Sequence, residues 1–221
     1  MKIPLLFVLA IVLPVGFVAS ENLECNAGTA TIEAAWKSMT DNCTLSMYYQ
    51  IQKEVDASIQ YLAMGAYFSK DTVNLPGFAE HFFKAASEER EHAQKLIEYL
   101  LMRGGLNSKH KKLEDMIIVN VPKQLTWTNG KHALDEALKL EVTVTNSIRQ
   151  VIQQCEKDPL VKPEDEHTNN DFHLVDYLTG EFLEEQFKGQ RELVHLIASL
   201  GKMMDTHGEL GQFLFDKKLL D

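Results

Sequence analysis

In the run Ser87-Glu88-Glu89-Arg90-Glu91-His92, a carboxylate and an imidazole stand three residues apart. On a helix Glu89 and His92 lie one turn apart with Glu88 beside them, so all three side chains can reach one point. Oxygen and imidazole donors without thiolate suit iron, manganese or zinc. An inward-facing Glu-x-x-His pair is how helical bundles present ligands to di-iron and di-manganese centres. Alone the pair is common in helix-rich chains, so the elements around it must decide its meaning.

Phe78, Phe82, Ala85, Glu89, His92, Leu96 and Tyr99 recur at alternating spacings of four and three, the apolar seam of a bundle helix. This helix should open at Pro76, which suits a first helical position, and close at Gly104-Gly105. A preceding helix over about 44–69 carries the seam Met47, Ile51, Glu54, Ser58, Tyr61, Gly65 and Phe68. The short turn at 71–76 makes these two antiparallel neighbours. A long crossover over 106–129, with the β-branched run Ile117-Ile118-Val119, should travel the length of the bundle. A third helix over about 131–156 has the seam Leu134, Ala137, Glu141, Val144, Ile148, Val151 and Cys155. After an acidic loop at 158–170, a fourth helix over about 171–203 shows Phe172, Val175, Thr179, Phe182, Gln186, Gly189, Leu193, Leu196 and Leu200. A short fifth helix covers 209–217. The fold class is therefore all-α, an up-down-down-up four-helix bundle with one long crossover and a short C-terminal helix.

Every long seam is interrupted near its middle: by Glu54 and Tyr61, by Glu89 and His92, by Glu141, and by Gln186. Bundle packing brings such positions to one layer. No Lys or Arg occupies any seam, whereas a buried structural carboxylate needs a partner because its uncompensated charge costs several kcal/mol. Either these acids are protonated, with raised pKa, or a cation sits among them. The pattern is lopsided, because Val144 stands where a second Glu-x-x-His would place its imidazole. One firmer ion position (Glu54, Glu89, His92) and one weaker position (bridging Glu89, Glu141 and Glu88) are expected. A loosely held second ion suits a site that processes metal and releases it. Gln186 and Tyr61 would hydrogen-bond a bound water or oxygen species, and Tyr61 could supply an electron. A dry lipid- or partner-binding bundle would not carry these polar intrusions.

The 221-residue chain has 32 acidic against 22 basic residues, a net charge of −10 that disfavours nucleic acid and permits cation gathering. Residues 1–20 combine a basic start, an apolar run and small residues before Glu21, the features of a cleaved secretory signal. Pro14 and Gly16 interrupt that run and no stop-transfer pattern follows, which speaks against a membrane anchor. Residues 21–43 read as a polar arm and 44–221 as the bundle domain. In a secretory lumen or outside the cell, Cys25, Cys43 and Cys155 can pair, and the odd number leaves one free or bonded to another chain. Cys155 also fits a small buried hydrophobe. Asn42-Cys43-Thr44 is a glycosylation sequon.

Glu54 with Tyr61, the run Glu88 to His92, Glu141, Glu185-Gln186 and the late Leu214-Phe215-Asp216-Lys217 together resemble the ferroxidase centre and C-terminus of a heavy-type ferritin subunit, over residues 44–219. With the signal and extra cysteines, the chain is similar to secreted ferritins of arthropods. The resemblance implies a shell of 24 chains that oxidises Fe(II) with dioxygen, two ions per subunit at the centre, and stores ferric mineral inside. It also implies a light-type partner chain, held through Cys25 or Cys43. Asp176 matches an acid of the three-fold entry channel. Its usual companion is replaced by Thr179, with Glu181 as a substitute, and Lys218 stands where the four-fold axis often has His.

Overall fold

The protein is represented by a computed structural model, described here for residues 39–105, 117–156 and 170–220. The expected signal at 1–20, Cys25, most of the arm and the acidic loop at 157–169 lie outside the described residues. Described helices are α1 (Asp41–Phe68), α2 (Pro76–Met102), α3 (Gly130–Glu156), α4 (Phe172–Tyr177), a π-helical turn (Leu178–Leu183), α5 (Glu184–His207) and α6 (Glu209–Lys218). α4, the π turn and α5 run on as the fourth bundle helix. The described residues contain no strand and no helix long and apolar enough to cross a membrane.

α1 begins three residues before the expected start because Thr40 caps it, its hydroxyl accepting from Cys43 N at 3.3 Å. The arm is correspondingly shorter than 21–43. α1 packs along most of α2, and the seam residues of α1 to α3 point inward except Ser58 and Ala85, which are half-buried. Ser58 donates its hydroxyl to the Ala86 carbonyl at 2.6 Å, so a polar seam position is used to tie two helices.

The described part of the crossover follows α1 upward. Gln52 exchanges two hydrogen bonds with Ile118 (2.8 and 2.7 Å), Gln60 donates to the Gln124 carbonyl at 2.8 Å, and Tyr67 donates to the Trp127 carbonyl at 2.7 Å. An extended β-branched segment cannot satisfy its own backbone, and these α1 side chains do so.

The fourth seam differs from expectation at its start. Phe172 and Thr179 are exposed and Val175 is half-buried, while Leu174, Leu178 and Phe182 are buried. The π turn inserts one residue, which rotates everything before it by about 100° relative to a continuous α-helix. Gly189 is also exposed; Gln186, Leu193 and Leu200 are buried as expected.

Cys43 and Cys155 form a disulfide joining the first turn of α1 to the last turn of α3, both fully buried. Of the alternatives left open, Cys155 as a lone buried hydrophobe and Cys43 as the link to a partner chain are thereby set aside: the bundle packing brings these two helix ends together. Asn42 is exposed in the first turn of α1 beside this bond.

α6 docks by capping. The fully buried Asp216 accepts from Phe78 N at 3.0 Å, at the N-terminus of α2 where the dipole favours an anion. Gly77 permits the approach, because a Cβ there would collide with the Asp216 carbonyl. Asp216→Ala should cost about 1–2 kcal/mol, as loss of a helix cap does, read as a lower denaturation midpoint. Opening the disulfide, with its 112-residue span, by Cys43→Ser/Cys155→Ser should cost roughly 2–5 kcal/mol in the same assay.

Candidate metal centre

Glu54 from the middle of α1 and Glu89 and His92 from the middle of α2 offer ligand atoms that all lie within 4.8 Å of one another. Each is almost wholly buried (0%, 3% and 6% exposed). Their placement follows from the seams: the helices are antiparallel, so positions equally far from the turn at 69–75 face each other. Glu141 of α3 and Gln186 of α5 are buried in the same layer, and Tyr61 donates its hydroxyl to Glu141 Oε1. A cavity of about 110 Å³ reaches this layer and is lined by Tyr61, Glu89, His92, Glu141 and Gln186, with Glu88, Glu185 and His81 nearer its mouth.

The ligand atoms are under-satisfied. Glu54 Oε2, Glu89 Oε2 and His92 Nδ1 are buried without a hydrogen-bond partner, and His92 Nδ1 stands 3.6 Å from Glu89 Oε1. Gln50 Nε2 donates to Glu54 Oε1 at 2.7 Å, which orients one carboxylate edge and leaves the other toward His92 and Glu89. Among the described residues, no ion pair of a Lys or Arg reaches Glu54, Glu89 or Glu141. Burial, and then the Glu89 charge, lifts the Glu54 carboxyl well above the ordinary range. Burial and then Glu141 push Glu89 up to about 8. Glu141 is raised by burial against the opposing hydrogen bonds from Tyr61 and Gln186, and Tyr61 is raised well above its usual value by burial and by Glu141. Such a pocket is poised to exchange protons for a cation.

Glu88 does not share the inner point: it is exposed at the cavity mouth, 3.4 Å from Lys84. Asp176 and Glu181 are exposed on α4 and the π turn and do not line this cavity. Sequence reasoning missed the residues that hold the site in shape. Thr145, one turn after Glu141, lies 2.6 Å from Gln186 Oε1 and accepts from Gln190 Nε2 at 2.6 Å, so the Gln186 amide is fixed beside Glu141. Glu185 Oε2 lies 3.4 Å from His92 Nε2 and 3.6 Å from Lys95. His81 lines the mouth, its imidazole pKa lowered by burial. Gln50 and Thr145 were visible as polar residues one turn from a seam acid, a signal shared by many solvated positions.

Residues 46–203 match the model of the ferritin-like domain. The chain is 55% identical over 197 residues to the ferritin heavy chain of Papilio xuthus, covering 89% of this chain and 88% of that one. It is 54% identical over 198 residues to the ferritin heavy chain of Drosophila melanogaster, covering 90% and 91%. The crystal structure of Trichoplusia ni secreted ferritin superposes with a TM-score of 0.78 at 54% identity, covering 89% of this chain and 97% of that chain. The chain therefore belongs to the ferritin family.

Proposed function

We propose that the chain is an iron-oxidising and iron-storing ferritin subunit of the heavy type. The observation that carries this reading is the buried trio Glu54, Glu89 and His92, whose Oε2, Oε2 and Nδ1 atoms lack a hydrogen-bond partner while, among the described residues, no Lys or Arg ion pair reaches the two acids. Fe(II) is the substrate. Glu54, Glu89 and His92 would hold the firmer ion; Glu141, with Glu89 bridging and Glu88 closing from the mouth, would hold the weaker one. Two ferrous ions together give two electrons to dioxygen, which takes two protons to become hydrogen peroxide. The Gln186 amide, steadied by Thr145, is placed to hydrogen-bond a water or oxygen species, and Tyr61 holds its proton against Glu141. Ferric product leaves toward the cavity mouth, where Glu88 and Glu185 present exposed carboxylates.

The secreted ferritin of Trichoplusia ni supports a secretory-pathway or extracellular location, and the family match supports a multi-subunit shell; 24 subunits, with a light-type chain among them, are the finer assembly proposed. Exposed apolar side chains on the outer helices, Phe172, Phe187, Phe213 and Leu214, are consistent with subunit contacts. Cys25, which lies outside the described residues, is proposed as the cysteine that joins a partner chain. The Asn42 sequon suits the same compartment, and Asp176 with Glu181 would line an iron entry.

On aerobic addition of Fe(II), the assembled protein should consume oxygen in a fast phase that Glu89→Ala and His92→Ala each abolish; unchanged rates in both would refute the assignment. Linkage gives a second expectation. The folded Glu89 carboxyl binds its proton up to about pH 8, whereas the unfolded one releases it near 4.5, so the native state holds more protons in that window. Stability of the chelated protein should therefore fall as pH rises from about 4.5 to 8, less steeply in Glu89→Gln. Zn(II) added at pH 7 should release protons into weak buffer, and no proton release would count against cation-for-proton exchange. Native mass with and without reductant tests the shell and the Cys25 cross-link.

A further inference from the structure

A line of touching rings leaves the metal layer on the side away from Tyr61. His92 packs on Phe182 with ring centres 5.7 Å apart, Phe182 meets Tyr177 edge-on at 5.6 Å, and Tyr177 stacks on Tyr99 at 4.7 Å and 20°. Phe182 keeps its expected inward place, and the π turn rotates the residues before it, with Tyr177 lying against Tyr99 of α2. At the far end the hydrogen bonding is determined by chemistry. Arg103 can only donate, and its Nη1 lies 2.6 Å from the Tyr99 hydroxyl oxygen. The single Tyr99 hydrogen must then go to His173 Nδ1 at 2.8 Å, which sets that nitrogen as acceptor and leaves Nε2–H on an exposed ring.

We propose that Tyr177 and Tyr99 form an electron relay that carries oxidising equivalents from the metal centre to the solvent-facing His173. The proposal rests on the ferroxidase reading, through His92 as an iron ligand. It answers a hazard of that chemistry. When peroxide meets a centre with only one ferrous ion to oxidise, one electron is missing. The step balances as follows: the ferrous ion and Tyr99 each give one electron to hydrogen peroxide, the O–O bond breaks, and two waters form with the Tyr99 proton equivalent and one proton from solvent. The phenolic proton moves to His173 Nδ1 while Nε2 releases its own to water. The resulting neutral phenoxyl is restored by an electron and a proton from a one-electron reductant in solution, such as ascorbate. Burial, opposed by Arg103, pushes the Tyr99 phenol up to about 12, so the phenol is protonated at rest and needs a base in contact to be oxidised. Arg103 also pairs bidentately with Asp171 at 3.0 and 2.9 Å, which pins the hydroxyl it donates to.

The test uses the assembled protein with one Fe(II) per subunit and excess hydrogen peroxide, freeze-quenched for electron paramagnetic resonance. Tyr61→Phe should retain a tyrosyl signal. Tyr61→Phe/Tyr177→Phe should lower it several-fold, and Tyr61→Phe/Tyr99→Phe/Tyr177→Phe should remove it. The Phe substitutions keep the ring packing, and thermal midpoints measured alongside report any purely structural effect. His173→Gln, which accepts a hydrogen bond but no proton, should slow the appearance of the Tyr99 radical and leave the stability almost unchanged. Loss of the whole signal in Tyr61→Phe alone, or equal signals in Tyr61→Phe and the triple variant, would overturn the relay. Fast Fe(II) oxidation and its loss in Glu89→Ala judge the ferroxidase reading separately, so failure of one is not mistaken for failure of the other.

Discussion

Several carboxylates share a space from which water is largely excluded and in which, among the described residues, no lysine or arginine ion pair reaches them. Burying one such charge unpaired costs several kcal/mol, and Glu54, Glu89 and Glu141 sit together. The fold meets this cost by raising their proton affinity. In the proposed function a ferrous ion would offer more, because it would replace protons with a divalent charge that several oxygens share. The same repulsion that makes the pocket unstable when empty and ionised makes it selective for a cation.

The rest of the bundle can be understood as what keeps that pocket from relaxing. A carboxylate on an isolated helix would swing to water. Here Gln50 grips Glu54, Tyr61 grips Glu141, and Thr145 with Gln190 fixes Gln186. Farther out, the Cys43–Cys155 bond joins α1 to α3 at one end, and Asp216 caps α2 at the other. Between them the crossover is laced to α1 by Gln52, Gln60 and Tyr67. Two apolar clusters, one on each side of the polar layer, supply the packing that holds the layer at mid-bundle.

Exposure divides the acids by role. In the proposed function the wholly buried ones would hold ions against solvent competition. Glu88 and Glu185 are exposed, lie near Lys84 and Lys95, and can exchange partners at little cost. A gradient from buried, crowded carboxylates to exposed, loosely paired ones would favour passage of an ion through the proposed site over permanent residence in it.

Helix count, antiparallel pairing of the first two helices, the inward direction of Glu54, Glu89, His92, Glu141 and Gln186, and the absence of a basic seam residue were all legible in the chain. They follow from a 3.6-residue period and from counting charges, both local properties. Three features were not. The slip from Val175 and Thr179 to Leu174 and Leu178 depends on a π turn, which no periodicity reveals because it breaks the period. The Cys43–Cys155 pairing depends on which helix ends meet. The supports Gln50, Thr145, Gln190 and Asp216, and the ring contact from His92 to Tyr99, join residues that look like ordinary surface or core until the helices are set side by side. Periodicity decides which face of a helix is buried; only packing decides what that face touches.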